Sequence, residues 1–112
     1  MTTSEVQITD HNTGDGEIAS KGALVFVHYT GTLTDGTIFD SSYNHGRPFE
    51  FVVGSKKVIQ GMSQGVLGMK VGGKRTIRIP AALAYGERSI GKIPPHSDLI
   101  FEVELLESRP RE

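Results

Sequence analysis

Leu24-Val25-Phe26-Val27-His28-Tyr29-Thr30 is the stretch on which the fold turns. β-Branched and aromatic residues dominate it, and such side chains suit a pleated surface better than a helix. A period of two puts Val25, Val27 and Tyr29 on one face and Leu24, Phe26 and His28 on the other. Apolar residues on both faces predict a central strand. Upstream, Val6 and Ile8 suggest a weaker strand, closed by the turn-rich run His11 to Glu17. Downstream, Thr34-Asp35-Gly36 marks a tight turn, because Asp-Gly tolerates the positive φ that hairpins require.

A second run, Thr37 to Ser42, follows that turn. Tyr43 to Pro48 reads as a loop, and Phe49-Glu50-Phe51-Val52-Val53 as a strand ended by Gly54. There the period changes. Ile59, Met62, Val66 and Met69 fall at i, i+3, i+7 and i+10, one face of a helix. Gly61, Gly65 and Gly68 cost such a helix about 1 kcal/mol each relative to alanine, which predicts a short helix held by packing. Arg75 to Ile79 alternates again and stops at Pro80, which cannot donate to a ladder. Leu99, Phe101, Val103 and Leu105 alternate with Ile100, Glu102 and Glu104 as the clearest half-buried strand, and Ser108 to Glu112 reads as a polar tail. The expected fold class is α+β, with about five or six antiparallel strands around one short helix. A single domain spans residues 1–112, its core at 6–107.

Composition narrows the function. Twelve Lys+Arg against thirteen Asp+Glu leave a formal charge of −1, without the basic excess by which nucleic-acid binders neutralise phosphates. The absence of cysteine excludes disulfides, iron–sulfur clusters, thiolate zinc sites and cysteine nucleophiles from these 112 residues. No stretch approaches the ~20 apolar residues of a membrane span. Met1 to Asp10 is polar and does not read as a secretory signal. The expectation is a cytoplasmic monomer, with no nucleic-acid or membrane partner.

Gly68-Met69-Lys70-Val71-Gly72-Gly73-Lys74-Arg75 matches a phosphate-binding loop except at its last position, where Arg75 replaces the Ser or Thr that would hold magnesium. A helix should follow such a loop, yet Arg75 to Ile79 is strand-like, so a glycine turn is expected. His11, His28, His45 and His96 form no usual metal-ligand spacing. Lys56, Lys57, Lys70, Lys74, Arg75 and Arg78 are most simply solvated faces. No nucleophile elbow is present.

The strings Val27-His28-Tyr29-Thr30-Gly31, Phe39-Asp40-Ser41-Ser42, Val58-Ile59-Gln60-Gly61, Ala84-Tyr85-Gly86, Ile93-Pro94-Pro95-His96 and Phe101-Glu102-Val103-Glu104-Leu105-Leu106 come in this order. Together they resemble the FKBP-type peptidyl-prolyl cis-trans isomerases, the macrolide-binding immunophilins, over about Val6 to Glu107. The resemblance implies a half-barrel sheet wrapped across a short helix, with a ligand pocket between them. It implies pocket walls at Tyr29, Phe39, Phe49, Val58, Ile59 and Phe101. Asp40 would be the pocket carboxylate, Tyr85 a hydroxyl donor and the Ile59 amide a donor to a ligand carbonyl. Ile93 would belong to the flap over the pocket. Asp40, Tyr85, Phe39 and Phe101 would act on the bond, and the others would bind.

Two departures stand out. Met62 occupies the floor position where the family usually carries Trp, and the flap, Glu87 to Ile93, is somewhat shorter and carries Arg88 and Lys92. The implied activity is rotation of X-Pro bonds in proline-containing peptides and folding proteins, without cofactor or metal. FK506- or rapamycin-like macrolides would be ligands. A non-catalytic binding or chaperone module for proline-containing or unfolded segments stays open beside the enzyme.

Overall fold

The computed structural model describes residues 5–110. The alternation at Val25, Val27 and Tyr29 is realised in β2 (Leu24–Leu33), where these three are buried and the residues between them are only half-buried. Around it stand β1 (Gln7–Asn12), β3 (Ile38–Ser41), β4 (Phe49–Val52), β5 (Lys74–Ile79) and β6 (Leu99–Arg109), with the helix α1 (Gln60–Val66). All pairings are antiparallel, in the order β1-β5-β6-β2-β3, and β4 pairs the first half of the β2 edge whose second half pairs β3. β2 is therefore central, as its two apolar faces predict. The fold is α+β, with a six-stranded sheet and, among the described residues, a single α-helix.

Several bounds differ from the sequence reading. β1 continues to Asn12, because pairing with β5 holds residues whose own pattern is too polar to signal a strand. The expected loop at 43–48 contains a 3-10 helix, Ser42–His45, capped by the Ser41 hydroxyl, which accepts from the Tyr43 amide. β6 runs to Arg109, into the stretch read as a polar tail. Leu106 bulges out opposite the Phe26/Val27 step, and Ser108 is buried with its hydroxyl donating to Ile18 O. Residues 111 and 112 lie outside the described residues, as do residues 1–4.

The helix is shorter than its apolar period. α1 ends at Val66, and Gly68 takes the left-handed φ of 87° that turns the chain away. Met69 is buried from the following loop, its carbonyl accepting from Ala19 N–H. The helix glycines have a packing reason. A Cβ on Gly61 would stand 2.2 Å from Ile79 Cγ2, and one on Gly65 2.5 Å from Ile77 Cγ2. α1 thus lies against β5 closer than any side chain would allow, and its Val66 shares the core with Ile77, Ile79, Leu99 and Leu105 of the sheet. The Gly72 and Gly73 amides donate to Leu105 O and Lys70 O in a turn that enters β5, so they offer nothing to a phosphate. No helix among the described residues is long and apolar enough to cross a membrane.

Candidate functional site

Between the buried face of the sheet and the start of α1 lies a cleft of about 440 Å³. β2 supplies Tyr29, β3 Phe39 and Asp40, β4 Phe49, and β6 Phe101. The turn into α1 adds Val58 and Ile59, the helix itself Met62, and the chain after the 3-10 helix Ala81–Leu83 adds Tyr85. Nine of the ten expected residues therefore line one cavity.

Ile93 does not line it. Ile90 and Ile93 exchange both backbone hydrogen bonds, at 3.0 and 2.8 Å, and that tight turn leaves Ile93 4% exposed and packed in the core.

The four sheet aromatics meet edge to face in series. Phe39 and Phe101 are 5.5 Å apart at 89°, Phe101 and Tyr29 5.7 Å at 62°, and Tyr29 and Phe49 5.7 Å at 77°. Such pairs contribute about 0.5–1.5 kcal/mol beyond their area burial, so they fix one another's orientation. Gly31 makes this possible, because a Cβ there would stand 2.6 Å from Phe39 Cζ and 2.9 Å from Phe101 Cε1. The sequence reading passed over Gly31, although glycine inside a strand pattern signals close approach.

One polar cluster interrupts the apolar wall. The Tyr29 hydroxyl donates to Asp40 Oδ2 at 2.6 Å, and Asp40 Oδ1 accepts from the Ser41 amide at 2.8 Å and lies 3.0 Å from His45 Nε2. Partial burial works to raise the Asp40 pKa, but the hydrogen bonds from Tyr29, His45 and Ser41 outweigh it and hold the carboxyl below its ordinary value. The Tyr29 phenol is pushed well above its usual range, first by burial and then by its bond to Asp40. Both groups thus keep one state at neutral pH, a carboxylate and a neutral phenol. The Ile59 N–H has no partner among the described residues and remains free to donate. Met62 is 2% exposed and still borders the cleft.

Lys56, Lys57, Ala84 and Arg88 also line the cleft. Sequence reasoning placed the lysines on a solvated face, since an exposed cation carries no local mark of the cavity beside it.

A second groove, about 310 Å³, lies on the outer face of the sheet and brings His11 and His28 together. His28 stacks on Tyr43 at 4.3 Å and His11 bonds the Thr76 hydroxyl, and the described residues contain no cluster able to hold a metal. The aromatic cleft can enclose an apolar ring and offer the Ile59 N–H to a carbonyl.

Comparisons with known proteins agree with that geometry. Residues 16–106 match the family model described as FKBP-type peptidyl-prolyl cis-trans isomerase. FK506-binding protein 2 of Kluyveromyces lactis is 57% identical over 91 residues, covering 80% of this chain and 65% of that protein, so the chain spans somewhat under two thirds of that curated relative's length. An FK506-binding protein of Neisseria meningitidis is 50% identical over 100 residues, covering 88% of this chain and 92% of its own. The crystal structure of AtFKBP13 superposes with a TM-score of 0.85 at 43% identity, covering 91% of each chain.

Proposed function

This chain belongs to the FKBP-type peptidyl-prolyl cis-trans isomerases, and we propose that it accelerates rotation about X-Pro peptide bonds by binding alone, in the cleft between the sheet and α1. The observation that carries this reading is the aromatic enclosure of Tyr29, Phe39, Phe49 and Phe101, with Asp40 as its only carboxylate.

Resonance gives the amide C–N bond a rotational barrier of about 18–20 kcal/mol. The planar ground state is charge-separated, oxygen negative and nitrogen positive, and the twisted transition state has lost that separation. An apolar enclosure therefore penalises the planar form more than the twisted one. Each ~1.4 kcal/mol of that preference gives about tenfold in rate, and no covalent step is required.

Phe39 and Phe101 hold the proline ring beside the twisting bond, and Tyr29, Phe49 and Val58 exclude water around it. Ile59 N–H and the Tyr85 hydroxyl fix flanking carbonyls, and Met62 forms the floor under the ring. Asp40 faces the amide as a fixed negative charge and transfers no proton. FK506- and rapamycin-like macrolides occupy the same cleft, because a pipecolinyl ring copies proline and its carbonyls suit the same donors. The protein acts as a monomer on proline-containing and folding chains. The compartment we infer is the cytoplasm, where a chain whose 112 residues lack cysteine loses nothing to reduction.

Exchange spectroscopy on a Leu-Pro peptide tests this reading. Isomerisation faster than in buffer, and suppressed by an FK506-like ligand, is expected. A rate equal to buffer with folded protein contradicts it, and a ligand that binds without slowing turnover would mean the site is misplaced.

A further inference from the structure

We propose that this isomerase favours X-Pro segments flanked by acidic side chains, and that Lys57 and Arg88 are the residues that select them. The inference rests on the isomerase reading of the cleft and names its substrate class.

Both cations lie beside aromatic walls of the site. Lys57 Nζ lies 6.0 Å from the centroid of Phe49, and Arg88 Cζ lies 5.9 Å from that of Tyr85. Those distances allow attraction between a cation and the ring face. The Arg88 amide also donates to Tyr85 O at 3.1 Å, a turn that returns the guanidinium to its own wall. Lys57 comes from the turn before α1 and Arg88 from the flap, so charge is offered from two separate elements.

Neither cation is neutralised. Among the described residues the ion pairs join His45 to Asp40, Arg75 to Asp10, Arg78 to Asp98 and Arg109 to Glu107, and none involves Lys56, Lys57 or Arg88. Glu50 and Glu87 are exposed but do not line the cleft. The one carboxylate that does, Asp40, already accepts bonds from Tyr29 and Ser41 and lies beside His45. The chain carries a formal charge of −1, yet the wall of its cleft presents three unpaired cations beside an apolar centre. A proline enters that centre while the residues before and after X-Pro pass Lys57 and Arg88. Carboxylates there gain attraction, and lysines there are repelled.

Three peptides with the same Leu-Pro core test this, with Glu, Gln or Lys on both sides of it. Affinity and turnover are measured separately for each, at about 0.01 M and about 1 M salt, where the Debye length falls from about 30 to 3 Å. At low salt the Glu peptide is expected to bind about 3- to 10-fold more tightly than the Lys peptide, with Gln between, and high salt should remove most of the difference. In the Lys57→Glu, Arg88→Glu double variant the order should reverse. The ratio between peptides cancels any general loss of affinity, and the salt series on the unaltered protein needs no variant. Equal affinities, or an unchanged order in the double variant, overturn the proposal even if all three peptides are isomerised. The expected order of affinities without turnover supports it while contradicting the isomerase reading.

Discussion

Tyr29 and Asp40 are joined by one short hydrogen bond, which adds to the burial that raises the phenol and to the His45 and Ser41 contacts that lower the carboxyl. Replacing Tyr29 by Phe removes the 2.6 Å bond but keeps the ring against Phe49 and Phe101. Asp40 is partly solvated and retains Ser41 and His45, so the expected loss is about 1 kcal/mol at neutral pH. The sign with pH follows from the depressed Asp40 value. Its contribution is fully present above the unfolded carboxyl pKa of about 3.9 and disappears as pH falls through the lower folded one. Urea titrations of Tyr29→Phe and the unaltered protein should therefore differ at pH 7 and converge below about pH 4. A constant difference across that range contradicts the assigned pair. If Met62 forms the floor of the same cleft, Met62→Trp should tighten macrolide binding by about 0.5–1.5 kcal/mol through a flat aromatic contact. Reduced thermal stability with no gain in affinity would show that Met62 serves only the core beneath the helix, where added volume costs about 1–3 kcal/mol.

At the scale of the element, α1 illustrates what a local pattern conveys and what it hides. Ile59, Met62 and Val66 announced a helix, and a helix is present, but the same residues cannot say where it stops. Its end depends on Gly68 taking a left-handed turn whose amide donates to Ala19 O, a partner far away in sequence. Gly61 and Gly65 read as defects in a helix, although contact with Ile79 and Ile77 requires them. Gly65→Ala should accordingly destabilise the protein by up to about 2 kcal/mol, an overpacking cost of about 1–3 kcal/mol less a propensity gain of about 1 kcal/mol. Differential scanning calorimetry checks the sign, and a raised Tm would mean that α1 has room to move off β5. The burial of Ile93 beside its backbone pair with Ile90 is likewise not announced by the composition of residues 87–93.

For the whole molecule, alternation at Val25, Val27 and Tyr29 and at Leu99, Phe101 and Val103 was enough to place a half-buried sheet on one helix. Strand order was not legible, because insertion of β6 between β5 and β2 depends on contacts distant along the chain. Most of the cleft was legible only through the resemblance of its strings, since Phe39, Phe49 and Phe101 taken singly read as core. The cations beside it were hidden, because Lys57 and Arg88 acquire meaning from the rings of Phe49 and Tyr85. This architecture supplies an aromatic enclosure, and the proposal resting on it is that enclosure alone lowers the barrier to X-Pro rotation. Refolding of a protein whose slow phase is limited by proline isomerisation, which takes tens to hundreds of seconds uncatalysed, tests that claim most directly. With this protein at catalytic amounts, the slow phase should accelerate in proportion to its concentration, and an excess of FK506-like ligand should return it to the uncatalysed rate. A slow phase unchanged by folded protein, or slowed in proportion to the protein added as if chains were merely held, would contradict it.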